Sequence, residues 1–278
     1  MSLTGLRRNE IDKFYTKPHV AKMCISQLNN IPDYDLIIEP SAGGGAFIDI
    51  LKTHNTRIIS YDIEPAHPDI IKQDYLTVDV TQFPKNTLVI GNPPFGRQSS
   101  QAIKFLRHSE FASCIAFILP KSFKKDSMQE KLPMYFHLEH QIDIPEKAFV
   151  LGKDGNEHDV PCVFQIWKKY SYKRPPIKKI IPVGWAFTCN RGSEYIVFTR
   201  VGVNAGFCTL DDCKRPLTSH YLILLENHND YNNHNEYLMY MVDQINNITW
   251  EFNNTVGPKS ISKQELGKKL NEIIKHNN

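Results

Sequence analysis

The chain has 278 residues, of which 41% are hydrophobic and 23% are charged, values typical of a globular protein with one large domain and a smaller second one. No apolar run reaches the roughly 18 residues that a membrane helix needs, and the polar start is unlike a secretory signal. We therefore expect a soluble, intracellular protein. The net charge of +3 is too small to identify a partner. The scattered cysteines predict reduced core thiols, not disulfides or a zinc site.

The first 170 residues alternate between strand and helix patterns. Mostly continuous apolar runs predict strands at 35–40, 57–63, 87–92, 114–120, 137–144 and 160–169, and helical patterns occupy 19–29, 46–54 and 101–111. This alternation predicts an α/β fold with a Rossmann-like, doubly wound, mostly parallel sheet. In such folds, ligands bind at the carboxyl ends of the strands.

After Tyr170 the pattern changes, which predicts a first domain over 1–170 and a smaller α+β domain over 171–278. Strand patterns at 194–203, 206–210 and 220–227 precede helical patterns at 235–247 and 262–275. Ser262, followed by Glu265, predicts a capping box at the last helix. From Lys168 to Val183 there are six basic residues and no acidic one. Such a run indicates phosphate contacts or a solvated linker, and the two interpretations are compatible.

A glycine-rich segment runs from Glu39 to Phe47, between an apolar strand and a helical pattern. Three consecutive glycines, from Gly43 to Gly45, allow a sharp turn and a close approach of backbone to ligand. A phosphate-binding loop would need a Lys-Ser/Thr pair or a G-x-G-x-x-G pattern, and neither is present. Glu39 before the glycines instead favours a cationic or amine-bearing ligand. A purely structural tight turn is the alternative.

Acidic residues follow the next two predicted strand ends. Asp62, with Glu64 as the second candidate, could accept hydrogen bonds from both ribose hydroxyl groups of a nucleoside. Asp74 lies further along, where its carboxylate could accept from an adenine amine. Either acid alone would more often be a cap or a solvated group, but the order Glu39, Asp62, Asp74 favours a nucleoside-binding site.

The segment Asn92-Pro93-Pro94-Phe95-Gly96 directly follows an apolar strand. The prolines have no amide hydrogen, so the turn offers acceptors, namely the Asn92 side-chain oxygen and the Pro93 carbonyl. Two acceptors could hold both hydrogens of an exocyclic NH₂ group while the nitrogen lone pair attacks a methyl donor. Phe95 offers a flat surface on which a base could stack. A rigid loop without chemistry is the alternative.

In this order, the motifs resemble those of amino-methyltransferases, above all the N6-adenine methyltransferases of gamma motif order, from Asp12 to Lys169. Residues 14–18 are similar to the N-terminal motif of that family, residues 39–47 to motif I, and residues 115–123 to the motif VI strand. The resemblance implies a class I methyltransferase fold, S-adenosylmethionine as the cofactor and no metal. It implies Asn92, Pro93, Pro94 and Phe95 as catalytic residues. The implied cofactor contacts are Tyr15, Thr16, Pro18, Glu39, Pro40, Ser41, Ala42, Gly43, Gly45, Phe47, Asp62, Ile63, Asp74, Tyr75 and Asn92.

The resemblance also implies that the target adenine rotates out of its helix into the site. The predicted substrate contacts are Phe149, Lys121 and Arg200. Residues 199–206 and 256–261 resemble target-recognition domains of restriction-modification systems, which favours DNA over RNA. Structured RNA, a protein glutamine amide and a non-catalytic nucleic-acid-binding subunit remain alternatives. Further candidate contacts are Arg191, Lys214, Arg215 and Lys259, whereas Trp185 and Trp250 are expected in the core.

Overall fold

The computed structural model describes residues 14–151, 156–191, 194–211, 214–226, 230–231, 233–250, 252 and 259–276. The chain divides into two compact units, 1–176 and 177–278, and each is described by itself. Predictions that involve Cys213 or residues 256–258 lie outside the described residues. Among the described helices, none combines the length and the apolar character that spanning a membrane requires.

The first unit contains ten strands and four α-helices in the described ranges. The strands are β1 (Phe14–Thr16), β2 (Leu36–Glu39), β3 (Ile58–Asp62), β4 (Ile71–Lys72), β5 (Thr87–Gly91), β6 (Cys114–Pro120), β7 (Phe136–Asp143), β8 (Phe149–Leu151), β9 (Asn156–His158) and β10 (Cys162–Lys169). The helices are α1 (Pro18–Ile25), α2 (Ile48–Leu51), α3 (Ser100–His108) and α4 (Asp126–Gln129). Short 3-10 helices cover Ile31–Asp33, Lys52–His54, Tyr75–Thr77, Val80–Gln82, Arg97–Ser99, Ser109–Phe111 and Lys121–Lys124.

Seven strands form the main sheet in the order β4-β3-β2-β5-β6-β10-β7. The five strands from β4 to β6 are parallel, and β10 runs antiparallel between β6 and β7. The predicted Rossmann-like, mostly parallel sheet is therefore confirmed. All six strands predicted from apolar runs are present.

The sheet is covered on both faces, which explains the continuous apolar runs. Along β6, Ala116 and Ile118 pack into the core under α1 and α2, while Ile115 and Phe117 pack into the core under α3. Successive side chains of a strand point to opposite faces, so a strand between two helical layers must be apolar at every position. Burying one such side chain contributes roughly 1.5–3 kcal/mol.

The order of the strands places the candidate site. β2 pairs with β3 on one side and with β5 on the other. The carboxyl ends of these three strands therefore meet at one edge, and they carry Glu39, Asp62 and Gly91. The strand order reverses at β2, because β3 and β4 are added on one side of it and β5 on the other. Open α/β sheets bind ligands at such a reversal.

A small sheet of order β1-β8-β9 was not predicted, because its strands have only three residues each. β1 pairs antiparallel with β8, and Thr16 lies opposite Phe149. The amide of Lys17 also donates to the carbonyl of Ala148 at 3.1 Å. These bonds fix the start of the described chain in the first unit.

The second unit is a smaller α+β structure, as predicted. Its strands β11 (Trp185–Thr188), β12 (Ile196–Thr199), β13 (Cys208–Thr209) and β14 (His220–Leu225) form an antiparallel sheet of order β11-β14-β12-β13. Helices α5 (His234–Asn246) and α6 (Lys263–His276) pack on one face of it. The expected capping box is present, since Ser262 N donates to Glu265 Oε2 at 2.7 Å and Glu265 N donates to Ser262 Oγ at 3.2 Å.

Two side-chain predictions about the core can be checked here. Trp185 is 4% exposed and packs in the core of the second unit, and Trp250 packs against the same core. Of the described cysteines, Cys24, Cys114, Cys162 and Cys208 are buried thiols, and Cys189 is exposed.

Part of the basic run has a structural role in the first unit. Arg174 donates hydrogen bonds to four backbone carbonyls, at residues 129, 132, 133 and 136, at 2.6–2.9 Å. Its guanidinium also stacks on Trp167, and Lys169 Nζ donates to the Glu110 carbonyl. Lys178 and Lys179 are exposed.

Candidate active site

A cleft of about 220 Å³ lies at the carboxyl end of β2. It joins three segments that are distant in the sequence, namely the N-terminal strand, the glycine-rich turn and Asn92. Its lining residues are Phe14, Tyr15, Thr16, Pro18, Glu39, Ser41, Ala42, Gly43, Gly44, Ala46, Phe47, Asp49 and Asn92. Eleven of these belong to the N-terminal and motif I segments singled out in the sequence, and Asn92 is the predicted catalytic residue.

The glycine-rich turn requires glycine at two positions. Gly43 has a φ of +52°, and a Cβ atom there would lie 3.0 Å from the Tyr15 ring. Gly45 has a φ of +87°, and a Cβ atom there would lie 2.9 Å from His67. Only glycine adopts such angles at little cost, so these positions let the turn pack under Tyr15 and keep its backbone exposed to the cleft.

The amide of Asn92 has a defined orientation. Its Nδ2 donates to Thr16 Oγ1 at 3.2 Å and to the Phe14 carbonyl at 3.5 Å. The Asn92 carbonyl accepts from Ser41 Oγ at 3.0 Å. With Nδ2 occupied in this way, Asn92 Oδ1 is buried and has no hydrogen-bond partner among the described residues. Buried polar atoms are nearly always paired, so an unpaired acceptor in a cleft marks a position for a donor ligand.

The rest of the turn is rigid. Pro93 is buried, and Phe95 packs partly against the core. The Phe95 carbonyl accepts from the amides of Gln101 and Ala102 at 3.1 and 3.4 Å, which ties the turn to the beginning of α3. Stacking of a base on the Phe95 ring remains a prediction.

Glu39 is a second buried group with an unpaired oxygen. It is 1% exposed, and its Oε2 has no hydrogen-bond partner among the described residues. Burial raises the pKa of this carboxyl well above its usual range, and the nearby Asp62 and Asp49 raise it further, against a lowering hydrogen bond from the Ile48 backbone. A cationic or amine ligand in the cleft would compensate for this burial.

The acids predicted for the nucleoside lie beside the cleft and do not line it. Asp62 Oδ2 accepts from Gly43 N and Oδ1 accepts from Glu64 N, each at 2.8 Å. A carboxylate oxygen has a further lone pair, so both oxygens can still accept from hydroxyl groups. Ile63 is 63% exposed, which leaves its side chain available to a ligand. Asp74 is exposed and caps Leu76 N at 2.9 Å.

Two predicted contact residues are buried, and a third forms an ion pair. Tyr75 is 1% exposed, and its hydroxyl lies 2.9 Å from Ser109 Oγ in the core. Phe149 is also 1% exposed and packs in the core, so its ring offers no exposed face to a base, which corrects its prediction as a substrate contact. Lys121 forms an ion pair with Asp143 at 3.3 Å, and Lys124 pairs with the same carboxylate at 2.5 Å, so a substrate contact of Lys121 stays a prediction.

Sequence reasoning missed four lining residues, Phe14, Gly44, Ala46 and Asp49. Three of them lie inside or next to the motifs, and their neighbours carried the prediction. Asp49 lies one turn after Gly45, and its carboxylate pairs with His67 at 3.2 Å. Its helical position after the glycines was the available signal. Within the described ranges, no group of three His, Cys, Asp or Glu side chains could hold a metal ion.

Comparisons with known proteins find partial similarities to methyltransferases. No protein-family model matches the chain. Over 96 residues, 33% of its length, the chain is 30% identical to the type II methyltransferases M.HincII and M.HindII of Haemophilus influenzae. The matched segment spans only 18% of each of those proteins.

Among solved structures, TrmN from Thermus thermophilus shares 16% identity with a TM-score of 0.40, covering 55% of this chain and 49% of that one. A candidate RNA methyltransferase from Pyrococcus horikoshii shares 16% identity with a TM-score of 0.41, covering 61% of this chain and 92% of that one.

The mostly parallel sheet, its antiparallel strand β10 and the glycine-lined cleft define a Rossmann-like, class I methyltransferase fold. The order of the motifs resembles that of S-adenosylmethionine-dependent methyltransferases, and over one third of its length the chain is similar to two type II methyltransferases. S-adenosylmethionine is the cofactor of that family.

Proposed function

We propose that this protein transfers a methyl group from S-adenosylmethionine to the exocyclic N6 of adenine in a nucleic acid, DNA in preference to RNA. The observation that carries the proposal is the unpaired, buried Oδ1 of Asn92 in a cleft lined by the cofactor motifs. An adenine amine is a planar donor of two hydrogens, which is what an amide oxygen and a proline carbonyl at one corner can accept.

The residues in and beside the cleft fit the cofactor. Glu39 offers a buried, unpaired carboxyl oxygen, which suits the amino group of the methionine part. Gly43 has no side chain to block its backbone from a ligand, and a Cβ atom there would lie 3.0 Å from the Tyr15 ring. Asp62 retains lone pairs for ribose hydroxyl groups, and Ile63 exposes an apolar side chain next to it. When bound, S-adenosylmethionine supplies an electrophilic methyl group on a sulfonium.

The residues of the chain position the acceptor amine. Asn92 Oδ1 and the Pro93 carbonyl each accept one hydrogen, which directs the nitrogen lone pair toward the cleft. The nitrogen forms its bond to the methyl carbon as the carbon–sulfur bond breaks, and it then releases one proton to water. Phe95 stacks on the base. The rate enhancement comes mainly from orientation and from preorganised acceptors, and an acceptor base inside a helix must first rotate out.

The alternative functions differ mainly in the molecule that accepts the methyl group. A protein glutamine amide presents the same planar NH₂ group, but the exposed cations of the second unit support a polyanionic substrate. The preference for DNA over structured RNA rests on the resemblance of residues 199–206 to target-recognition domains. A non-catalytic subunit has no need for an unpaired acceptor at Asn92, and the retained turn and glycines support an enzyme.

Transfer of labelled methyl groups separates these proposals. The purified chain is incubated with labelled S-adenosylmethionine and with DNA, RNA or protein, and the products are digested and tested for N6-methyladenine and methylated glutamine. We expect label in N6-methyladenine from DNA. Label in RNA or in glutamine would change the acceptor, and cofactor binding without any transfer would support the non-catalytic subunit.

Single-residue variants test which residues serve methyl transfer and which serve cofactor binding. Asn92→Ala should lower the transfer rate by about 10²–10³-fold, by analogy with the loss of one preorganised hydrogen-bonding group, while cofactor binding is largely retained. Asp62→Ala should weaken the cofactor first. Asn29→Ala, at an exposed asparagine outside the cleft, is the control and should behave as the unaltered protein. Full activity of Asn92→Ala would show that the reacting site is assigned wrongly.

A further inference from the structure

We propose that one end of the second unit binds the phosphate backbone of the nucleic-acid substrate. The surface consists of Lys178, Phe187, Arg200, Tyr221, Lys259 and Lys263, and it is called the basic aromatic surface below. The inference deepens the proposed function and rests on it for the identity of the partner. Its geometry lies entirely within residues 177–278.

Backbone pairing brings the cations together from distant parts of the sequence. An isolated antiparallel bridge joins Val201 to Ser260. Gly202 N donates to the Lys259 carbonyl at 2.9 Å, and Ile261 N donates to the Arg200 carbonyl at 2.8 Å. Arg200 therefore lies beside the segment that carries Lys259 and that leads into α6.

Two cations flank one aromatic ring. Arg200 Cζ lies 5.2 Å from the centroid of the Tyr221 ring, and Lys263 Nζ lies 5.6 Å from the same centroid. Lys263 Nζ also lies 4.7 Å from the centroid of the Phe187 ring. These distances fall within the range of cation–π contacts, so the rings hold the cations in fixed positions.

The basic run found in the sequence joins this surface at its second half. Gln264 Nε2 donates to the Lys178 carbonyl at 3.2 Å, and Ile180 N donates to Gln264 Oε1 at 2.8 Å. Gln264 is the neighbour of Lys263, so the exposed Lys178 lies beside the beginning of α6. The half of the run that contacts the second unit thus carries free cations, whereas Arg174 serves the first unit.

The two cations beside Tyr221, Arg200 and Lys263, have no ion-pair partner among the described residues, although Arg200 Nη1 donates to the Thr218 carbonyl at 2.7 Å. Arg200 Nε is buried without a hydrogen-bond partner in the described ranges. Lys263 is also the first residue of α6, where a positive charge opposes the helix dipole. Two cations beside one ring without an ion-pair partner favour an anionic partner.

A phosphate backbone fits this arrangement better than stacked bases do. The rings of Phe187 and Tyr221 are half-buried and already covered by cations, so they offer little free surface to a base. The exposed ammonium groups of Lys178, Lys259 and Lys263 can approach successive phosphates. Such contacts set the affinity and the orientation of the nucleic acid without reading its sequence.

The test measures how binding depends on salt. Lys263→Gln and Lys259→Gln are compared with Lys268→Gln, a control at an exposed lysine of the same helix. Dissociation constants for a short DNA duplex and for an RNA of the same sequence are measured by fluorescence anisotropy at several salt concentrations. Each surface variant should weaken binding about 3–10-fold at low salt and reduce the slope of log K against log salt by roughly 0.7–0.9. The control should change neither.

The outcomes distinguish this surface from the proposed function. Binding of Lys263→Gln and Lys259→Gln with unaltered affinity and salt slope would overturn the surface, whether or not methyl transfer occurs. Methyl transfer to neither DNA nor RNA, with binding that still depends on these lysines, would overturn the proposed function and retain the surface. Lys263→Arg should restore binding because it keeps the charge. Lysine-dependent binding to anionic lipid vesicles without binding to nucleic acid would overturn the identity of the partner.

Discussion

Thr16 determines which end of the Asn92 amide is free, and Thr16→Val tests this. Thr16 Oγ1 accepts from Asn92 Nδ2 at 3.2 Å, and the other acceptor, the Phe14 carbonyl, is more distant at 3.5 Å. Valine keeps the β-branched shape that suits strand β1 and removes only the acceptor. Without it, only the longer bond to the Phe14 carbonyl holds the NH₂ end, so the amide rotates more readily and presents its NH₂ group to the cleft in place of its oxygen.

The expected magnitude follows from one neutral hydrogen bond. Its net value is about 1 kcal/mol. A loss of that size in the orientation of Asn92 lowers kcat roughly fivefold, since a tenfold change in rate corresponds to about 1.4 kcal/mol. The effect is far smaller than the loss expected for Asn92→Ala, because the oxygen itself is still present in the variant.

The assay separates orientation from cofactor binding. Steady-state kinetics give kcat and KM for S-adenosylmethionine, and calorimetry gives the dissociation constant of the cofactor. Thr16→Val should lower kcat with little change in the dissociation constant. Thr16→Ser, which keeps the hydroxyl, should restore most of kcat.

Two results would refute this reasoning. If Thr16→Val retains the full kcat, the hydrogen bond does not control the Asn92 amide. If Thr16→Ser is as slow as Thr16→Val, the loss comes from packing on β1 and not from the missing acceptor.

Three further predictions concern the cleft residues Gly43 and Glu39 and the stability of the first unit. Gly43→Ala should weaken cofactor binding at least tenfold in calorimetry, because its φ is +52° and the new Cβ would meet the Tyr15 ring at 3.0 Å. Glu39→Gln should flatten the pH dependence of Tm, because the raised pKa of Glu39 makes the folded state lose stability as pH rises above roughly 4.3, the unfolded value. If the Tm of the wild-type protein and the Tm of the variant fall in parallel as pH rises, this prediction is contradicted. Arg174→Met should lower the free energy of unfolding by about 2–4 kcal/mol through the lost carbonyl contacts, whereas the exposed neighbour Lys173→Met should not.

The main sheet could be predicted from the sequence because its strands lie between two helical layers. Continuous apolar runs closed by polar residues can satisfy only that arrangement, and β2, β5 and β6 appear within one or two residues of their predicted bounds. The three-residue strands β1 and β8 escaped prediction. Their pairing joins residues more than a hundred positions apart, and local periodicity carries no information about such a distance.

The candidate site was predictable in its residue types and less so in its contacts. The glycines, Asp62 and Asn92 could be predicted as site residues because the residue type alone indicates backbone freedom or an acceptor group. Tyr75 and Phe149 were assigned to ligands, but aromatic rings serve cores and binding sites equally well. Their burial depends on the elements that pack over them.

The sequence by itself determined the mostly parallel sheet, the position of the glycine-rich turn and the acceptor-bearing corner after β5, because apolar periodicity and the backbone limits of glycine and proline act locally. Only the tertiary structure decided that Thr16 holds Asn92, that Arg174 turns inward and that Arg200 and Lys263 flank Tyr221. Those contacts join residues that are distant along the chain, so they exist only once packing has brought the elements together and balanced the charges and hydrogen bonds between them.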